Sequence, residues 1–78
     1  MAYLVLGRAR ISGWIVSVEG DAGVLLYVVA TPEPDRAEDI VRANLQVPEG
    51  RDVLAERPAT EDIVKGFHLK PGQMKGPM

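Results

Sequence analysis

Residues 24–45 read VLLYVVATPEPDRAEDIVRANL, and the change of pattern inside this stretch decides the fold. Val24 to Ala30 is the longest apolar run, rich in β-branched residues and too short to cross a bilayer as a helix. Apolar side chains fall on both of its faces, which predicts a central strand. Thr31-Pro32-Glu33-Pro34 ends it, because neither proline has an N–H to give to a ladder. Beyond Pro34 the apolar period lengthens from two residues to about 3.6. Ala37, Ile40, Val41 and Leu45 form one stripe, and Arg36, Glu38, Asp39 and Arg42 stand opposite it. The spacing predicts a helix from Arg36 to about Leu45. Asp35 is its expected N-cap, and Glu38, three residues on, completes a capping box.

Upstream, Trp14 to Glu19 alternates. Trp14, Val16 and Val18 share one predicted face; Ile15, Ser17 and Glu19 share the other. Gly20-Asp21-Ala22-Gly23 suits a hairpin loop between this strand and the apolar one. Residues 3–6 and 8–11 are also β-prone, with Gly7 between them as a bulge or bend, and Ser12-Gly13 reads as a turn. Downstream, Val47-Pro48-Glu49-Gly50 is a loop. Arg51 to Arg57 reads as a short strand, with Val53 and Ala55 on one face, Leu54 and Glu56 on the other, and Pro58 at its end. Thr60 is placed to cap a second short helix over Glu61–Phe67, with Ile63, Val64 and Phe67 on one side and Gly66 weakening it.

These elements predict an α+β fold. A small, mostly antiparallel four-stranded sheet is covered on one face by one main helix. A short second helix packs beside the first or against another chain. Residues 1–67 form the single domain, and residues 68–78, with two Lys and no acid, form an irregular C-terminal tail.

Composition narrows the chemistry. A chain of 78 residues holds one domain and buries roughly 60–65% of its extended-chain surface, so its core is small. Only Tyr3, Trp14, Tyr27 and Phe67 are aromatic. Without cysteine there is no disulfide framework and no thiolate site, and a single His rules out a multi-histidine metal cluster. The net charge of -2 gives no long-range pull toward nucleic acid or an anionic membrane. The opening Met1 to Gly7 has no basic segment before its short apolar run, so no signal peptide is expected and the cytoplasm is the expected compartment.

No catalytic constellation emerges. His68 is the one side chain whose ordinary pKa lies near neutrality, but its neighbours form no motif. Ser12 and Ser17 sit in no Gly-x-Ser-x-Gly elbow. The paired carboxylates, such as Glu19/Asp21 and Glu38/Asp39, match no calcium loop, and Gly20–Gly23 precedes a strand rather than the helix that a phosphate loop requires. No catalytic residue, metal or cofactor is therefore expected. Arg8 and Arg10 share a strand face by parity and, with His68, are the candidate ligand-binding residues. Trp14, Tyr27, Phe67, Leu69 and Met74 are the candidate interface residues, because large apolar side chains in so small a domain gain burial by assembly.

The expected function is accordingly a small accessory or protein-interaction domain, acting through homo-oligomer formation or a partner subunit. One alternative is a small enzyme or ligand-binding domain whose pocket forms at a dimer interface around His68. The other is a nucleic-acid-associated regulator, which the charge balance disfavours. No membrane association is expected.

Overall fold

The computed structural model describes residues 11–78. The strands expected over 3–6 and 8–10, with Tyr3, Gly7, Arg8 and Arg10, lie outside the described residues. In chain order the elements are β1 (Ile11–Gly20), β2 (Gly23–Val29), α1 (Pro34–Leu45), β3 (Val53–Thr60), α2 (Glu61–Gly66) and β4 (Met74–Lys75). The four strands form one antiparallel sheet in the order β3-β1-β2-β4.

The alternation in the sequence becomes two apolar layers. Val16 and Val18 of β1, Tyr27 and Val29 of β2, and Val53 of β3 pack under Ala37 and Val41 of α1. Ile15, Val28, Ala30 and Ala59 project from the opposite face and meet Val64 of α2, with Leu26, Phe67 and Leu69 at the margin. The second helix thus lies across the sheet from the first, not beside it. The β1–β2 turn is a two-residue hairpin, with Gly20 paired to Gly23 as the sequence predicts.

Several local expectations are corrected. Helix α1 starts two residues early, at Pro34, and Glu33 takes the N-cap position without a side-chain cap bond. Proline at the first turn has its φ already set and lacks only an N–H that the helix would leave unpaired. The Ala37 N–H reaches the Glu33 carbonyl at 3.0 Å. Glu38 forms no capping box; its carboxylate accepts the Ala55 N–H at 2.8 Å and ties α1 to β3. Leu45 and Ile63 were placed on buried stripes, yet they are 40% and 41% exposed.

Ser12-Gly13 is no turn. It lies inside β1, at a register irregularity between Ile11 and Gly13. A Cβ at Gly13 would stand 2.3 Å from the Val29 carbonyl oxygen and 2.9 Å from Val64 Cγ2, so glycine is there to let β2 and α2 approach. Pro58 does not end β3 either. Among the described residues β3 pairs only with β1, and an edge strand tolerates a residue without an N–H. A second irregularity, between Ile15 and Val16, sets Arg57 opposite the former and Ala55 opposite the latter, leaving Glu56 as the extra residue of a bulge.

Residues 68–78 are mostly irregular but are fastened to the sheet. Lys70-Pro71-Gly72-Gln73 closes with the Gln73 N–H on the Lys70 carbonyl at 2.9 Å, and Gly72 has φ 84°, the residue pattern of a type II turn. The chain then runs along β2: Met74 pairs with Val29 and Lys75 with Val28. The Met78 N–H donates to the Leu26 carbonyl at 2.8 Å. The tail thereby supplies the fourth strand.

The two glycines nearest α2 give opposite expectations. Gly13→Ala should lower stability by about 1–3 kcal/mol, since backbone must move to admit the methyl group. Gly66→Ala meets nothing within 4 Å and should raise stability by roughly 0.5–1 kcal/mol through helix propensity. Thermal unfolding followed by circular dichroism distinguishes these signs.

Candidate interaction surface

The sequence candidates divide according to what the fold does with them. Tyr27 is buried in the chain's own core under α1, which corrects its assignment to an interface. Trp14 and Met74 pack half-buried against the same layer, and the Trp14 indole N–H donates to the Pro32 carbonyl at 2.9 Å. Phe67 and Leu69 lie half-buried against the opposite layer. These side chains mainly complete the two small cores. Arg8 and Arg10 lie outside the described residues.

His68 has a backbone role. It follows α2 with φ 57°, the left-handed conformation. The Leu69 N–H reaches back to the Val64 carbonyl at 3.3 Å, and the His68 N–H to the Lys65 carbonyl at 2.9 Å. That pair of bonds is the Schellman ending, with its usual apolar contact supplied by Leu69 and Val64 in one cluster. The His68 side chain is exposed.

A groove of about 430 Å³ runs between the start of β1, α2 and the tail, lined by Ile11, Ala30, Val64 and Leu69 with Ser12, Glu61 and Lys65 at its polar margin. Lys65 and Glu61 pair at 2.7 Å, which raises the Lys65 pKa. His68 does not line this groove. At the hairpin end, Arg51 donates to the Asp21 carboxylate, and this hydrogen bond and charge hold Asp21 below the usual carboxylate range. Both pairs are solvent-exposed, so they contribute little to stability. Among the described residues no group of three or more His, Asp or Glu side chains converges to hold a metal ion, and no helix is long and apolar enough to cross a membrane.

The second face of the sheet is only half covered. Cross-strand partners share a face, so its rows can be read from the register. Lys75, Val28, Ile15 and Arg57 form one row; Leu26, Ser17 and Leu54 form the next; Val24 and Glu19 form the last, toward the hairpin. Helix α2 covers the end beyond the first row. Past it, Val24 is 65% and Leu54 54% exposed, with Leu26 half-buried beside Val24 on β2. The polar group in the middle is already satisfied: the Ser17 hydroxyl donates to Glu56 Oε2 at 2.6 Å. What reaches solvent is thus apolar on β2, at Val24 and Leu26, and on β3, at Leu54, with Ser17 of β1 and the exposed Glu56 carboxylate between the two strands.

Sequence reasoning missed Val24 and Leu54 as surface residues. Val24 was absorbed into a run read as buried on both faces. The available signal was the parity of Leu54 with the polar Ser17 and Glu56, which marks an incompletely covered face.

Because His68 acts through its backbone conformation, His68→Gly should stabilise the chain. Relief of the left-handed strain is worth about 1 kcal/mol, and the melting temperature should rise by roughly 4–8 °C in a domain of this size. His68→Ala, which keeps the strain, should leave it nearly unchanged. Compared with known proteins, the chain matches no family model, no curated protein and no solved structure.

Proposed function

We propose that the protein is a small accessory domain that works by binding protein, through the open half of its second sheet face. The observation that carries this reading is the exposure of Val24, Leu26 and Leu54 on one sheet face, around the Ser17–Glu56 hydrogen bond. Docking there would remove the apolar surface of Val24, Leu26 and Leu54 from water, with a donor on the partner meeting the exposed Glu56 carboxylate. A ligand pocket around His68 has less support, since that side chain is exposed and borders no groove among those described. The lack of cysteine suits a reducing compartment, and we place the domain in the cytoplasm.

The test is a comparison of the wild-type chain with Val24→Asp/Leu54→Asp. Both positions are largely exposed, so the double variant should keep its circular dichroism spectrum and lose no more than about 1 kcal/mol of stability. Used as baits in extract of the native cell, the wild type should retain proteins, further copies of itself included, that the variant does not. Identical retention by the two folded proteins would refute the assignment of function to this face.

A further inference from the structure

We infer that the Glu38 side chain of α1 closes the outer edge of β3 against a second copy of this chain. It holds the backbone donor through which β3 would otherwise pair with β3 of that copy. The closure concerns backbone groups in the plane of the sheet and holds whichever surface binds protein.

The sheet has two edges. The tail covers that of β2, where Met74 and Lys75 pair with Val29 and Val28. Among the described residues no strand lies beyond β3. It is eight residues long and carries the exposed Leu54, the kind of edge that recruits further strands. Alternate residues of a strand turn their N–H and C=O groups to opposite neighbours. The Glu19 N–H donates to the Asp52 carbonyl at 2.9 Å, so Asp52 and Leu54 turn toward β1. Arg51, Val53 and Ala55 therefore turn outward.

Two of these outward positions are held by α1. The Ala55 N–H donates to Glu38 Oε2 at 2.8 Å, and the Arg42 guanidinium donates to the Arg51 carbonyl at 3.2 Å. Glu38 and Arg42 stand four residues apart on one flank of the helix. That flank thus presents an acceptor and a donor where an added strand would present its own. Farther along, the edge is closed by other means. Glu56 is the extra residue of the bulge, Arg57 beyond it faces Ile15, and Pro58, the next outward position, has no N–H. From residue 52 to residue 58, Val53 and Ala55 are the outward positions that carry an N–H.

One pairing of two copies uses both of these donors. Val53 lies opposite Ala55 of the second copy and Ala55 opposite its Val53, antiparallel about a two-fold axis at Leu54. The two Leu54 residues then form the non-hydrogen-bonded pair at the centre, with Cα atoms about 4.5 Å apart. On the same face Asp52 of each copy stands opposite Glu56 of the other, like charges that further oppose the pairing. Glu38 blocks it twice, because the two-fold sets one Ala55 N–H on each side of the centre.

The chain has no cysteine, which makes Leu54→Cys a specific reporter, since a non-hydrogen-bonded pair lies within disulfide reach. The purified chain is incubated with oxidised glutathione in ~1 M NaCl, where a Debye length of about 3 Å screens the Asp52–Glu56 repulsion. Glu38→Ala/Leu54→Cys should form disulfide-linked dimer about tenfold faster than Leu54→Cys, because a hydrogen bond to a charged group no longer has to be displaced. Glu38→Gln/Leu54→Cys should stay close to Leu54→Cys, because the amide oxygen still accepts the Ala55 N–H. Val24→Cys, on the same face but away from this edge, should cross-link at one rate with or without Glu38→Ala. In dilute solution, hydrogen exchange at the Ala55 N–H should speed about tenfold in Glu38→Ala and not in Glu38→Gln. Circular dichroism checks the fold, and Glu38→Lys/Leu54→Cys, also without an acceptor, decides the matter if the alanine variant does not fold. Equal cross-linking of Leu54→Cys with and without the Glu38 carboxylate would overturn the closure. So would unchanged exchange at Ala55, or an equal acceleration at Val24→Cys, which marks a general loosening of the fold.

Discussion

With both edges hydrogen-bonded and both faces packed, β1 has no room to slip. β2 lies along one edge and β3 along the other. Val16 and Val18 are held under α1, and Ile15 faces α2. A shift of one residue would bring Ser17 and Glu19 under α1 and expel both valines. The other elements take their positions from this strand. The hairpin sets the register of β2, β2 sets that of β4, and the Glu38 carboxylate on the Ala55 N–H fixes α1 across β3. Gly13 belongs to the same constraint, because β1 can lie this close to the Val29 carbonyl only where it has no side chain.

How far the sequence was legible follows from which signals are local. The alternation from Trp14 to Glu19, the Gly20–Gly23 turn and the helical stripe of Ala37, Ile40 and Val41 each depend on neighbours a few residues away, and each is where the spacing places it. The misreadings involve residues whose meaning is set at long range. Gly13 looks like half of a turn until β2 and α2 are brought against it. Pro58 looks like a strand end until β3 is known to be an edge. Lys70-Pro71-Gly72-Gln73 carries a turn signature, but without a strand visible beyond it the segment reads as tail; the strand is only two residues long and is made by the edge of β2. The candidate surface was legible only in part. Large apolar residues were the obvious choices for contact, and the small cores took most of them, leaving Val24 and Leu54 outside.

The reason they are left outside is one of length. At 1.5 Å per residue, the twelve residues of α1 extend ~18 Å, enough to run along much of the sheet. The six residues of α2 extend only ~9 Å, while the ten of β1 stretch to ~33 Å. Two helices of such different length cannot cover two faces of one sheet equally. The shorter one seals the end holding Ile15, Val28 and Ala59, and the hairpin end of that face stays open.

The path of the chain after α2 prevents the tail from closing that gap. His68 in the left-handed conformation reverses the chain, and Leu69 returns to pack with Val64 rather than continuing across the sheet. The Pro71-Gly72 turn then delivers Gln73 and Met74 to the edge of β2, where the Ala30 N–H donates to the Gln73 carbonyl at 2.8 Å. At Gly76 a side chain would collide with the Tyr27 ring at 2.5 Å, so the tail is held close along that edge. The last residues are thus spent satisfying the backbone of β2, the strand with the most apolar sequence and the most to lose from an unpaired edge. A chain of this length meets the hydrogen-bonding demand of its central strand first, and the apolar demand of Val24, Leu26 and Leu54 is left for another surface to meet.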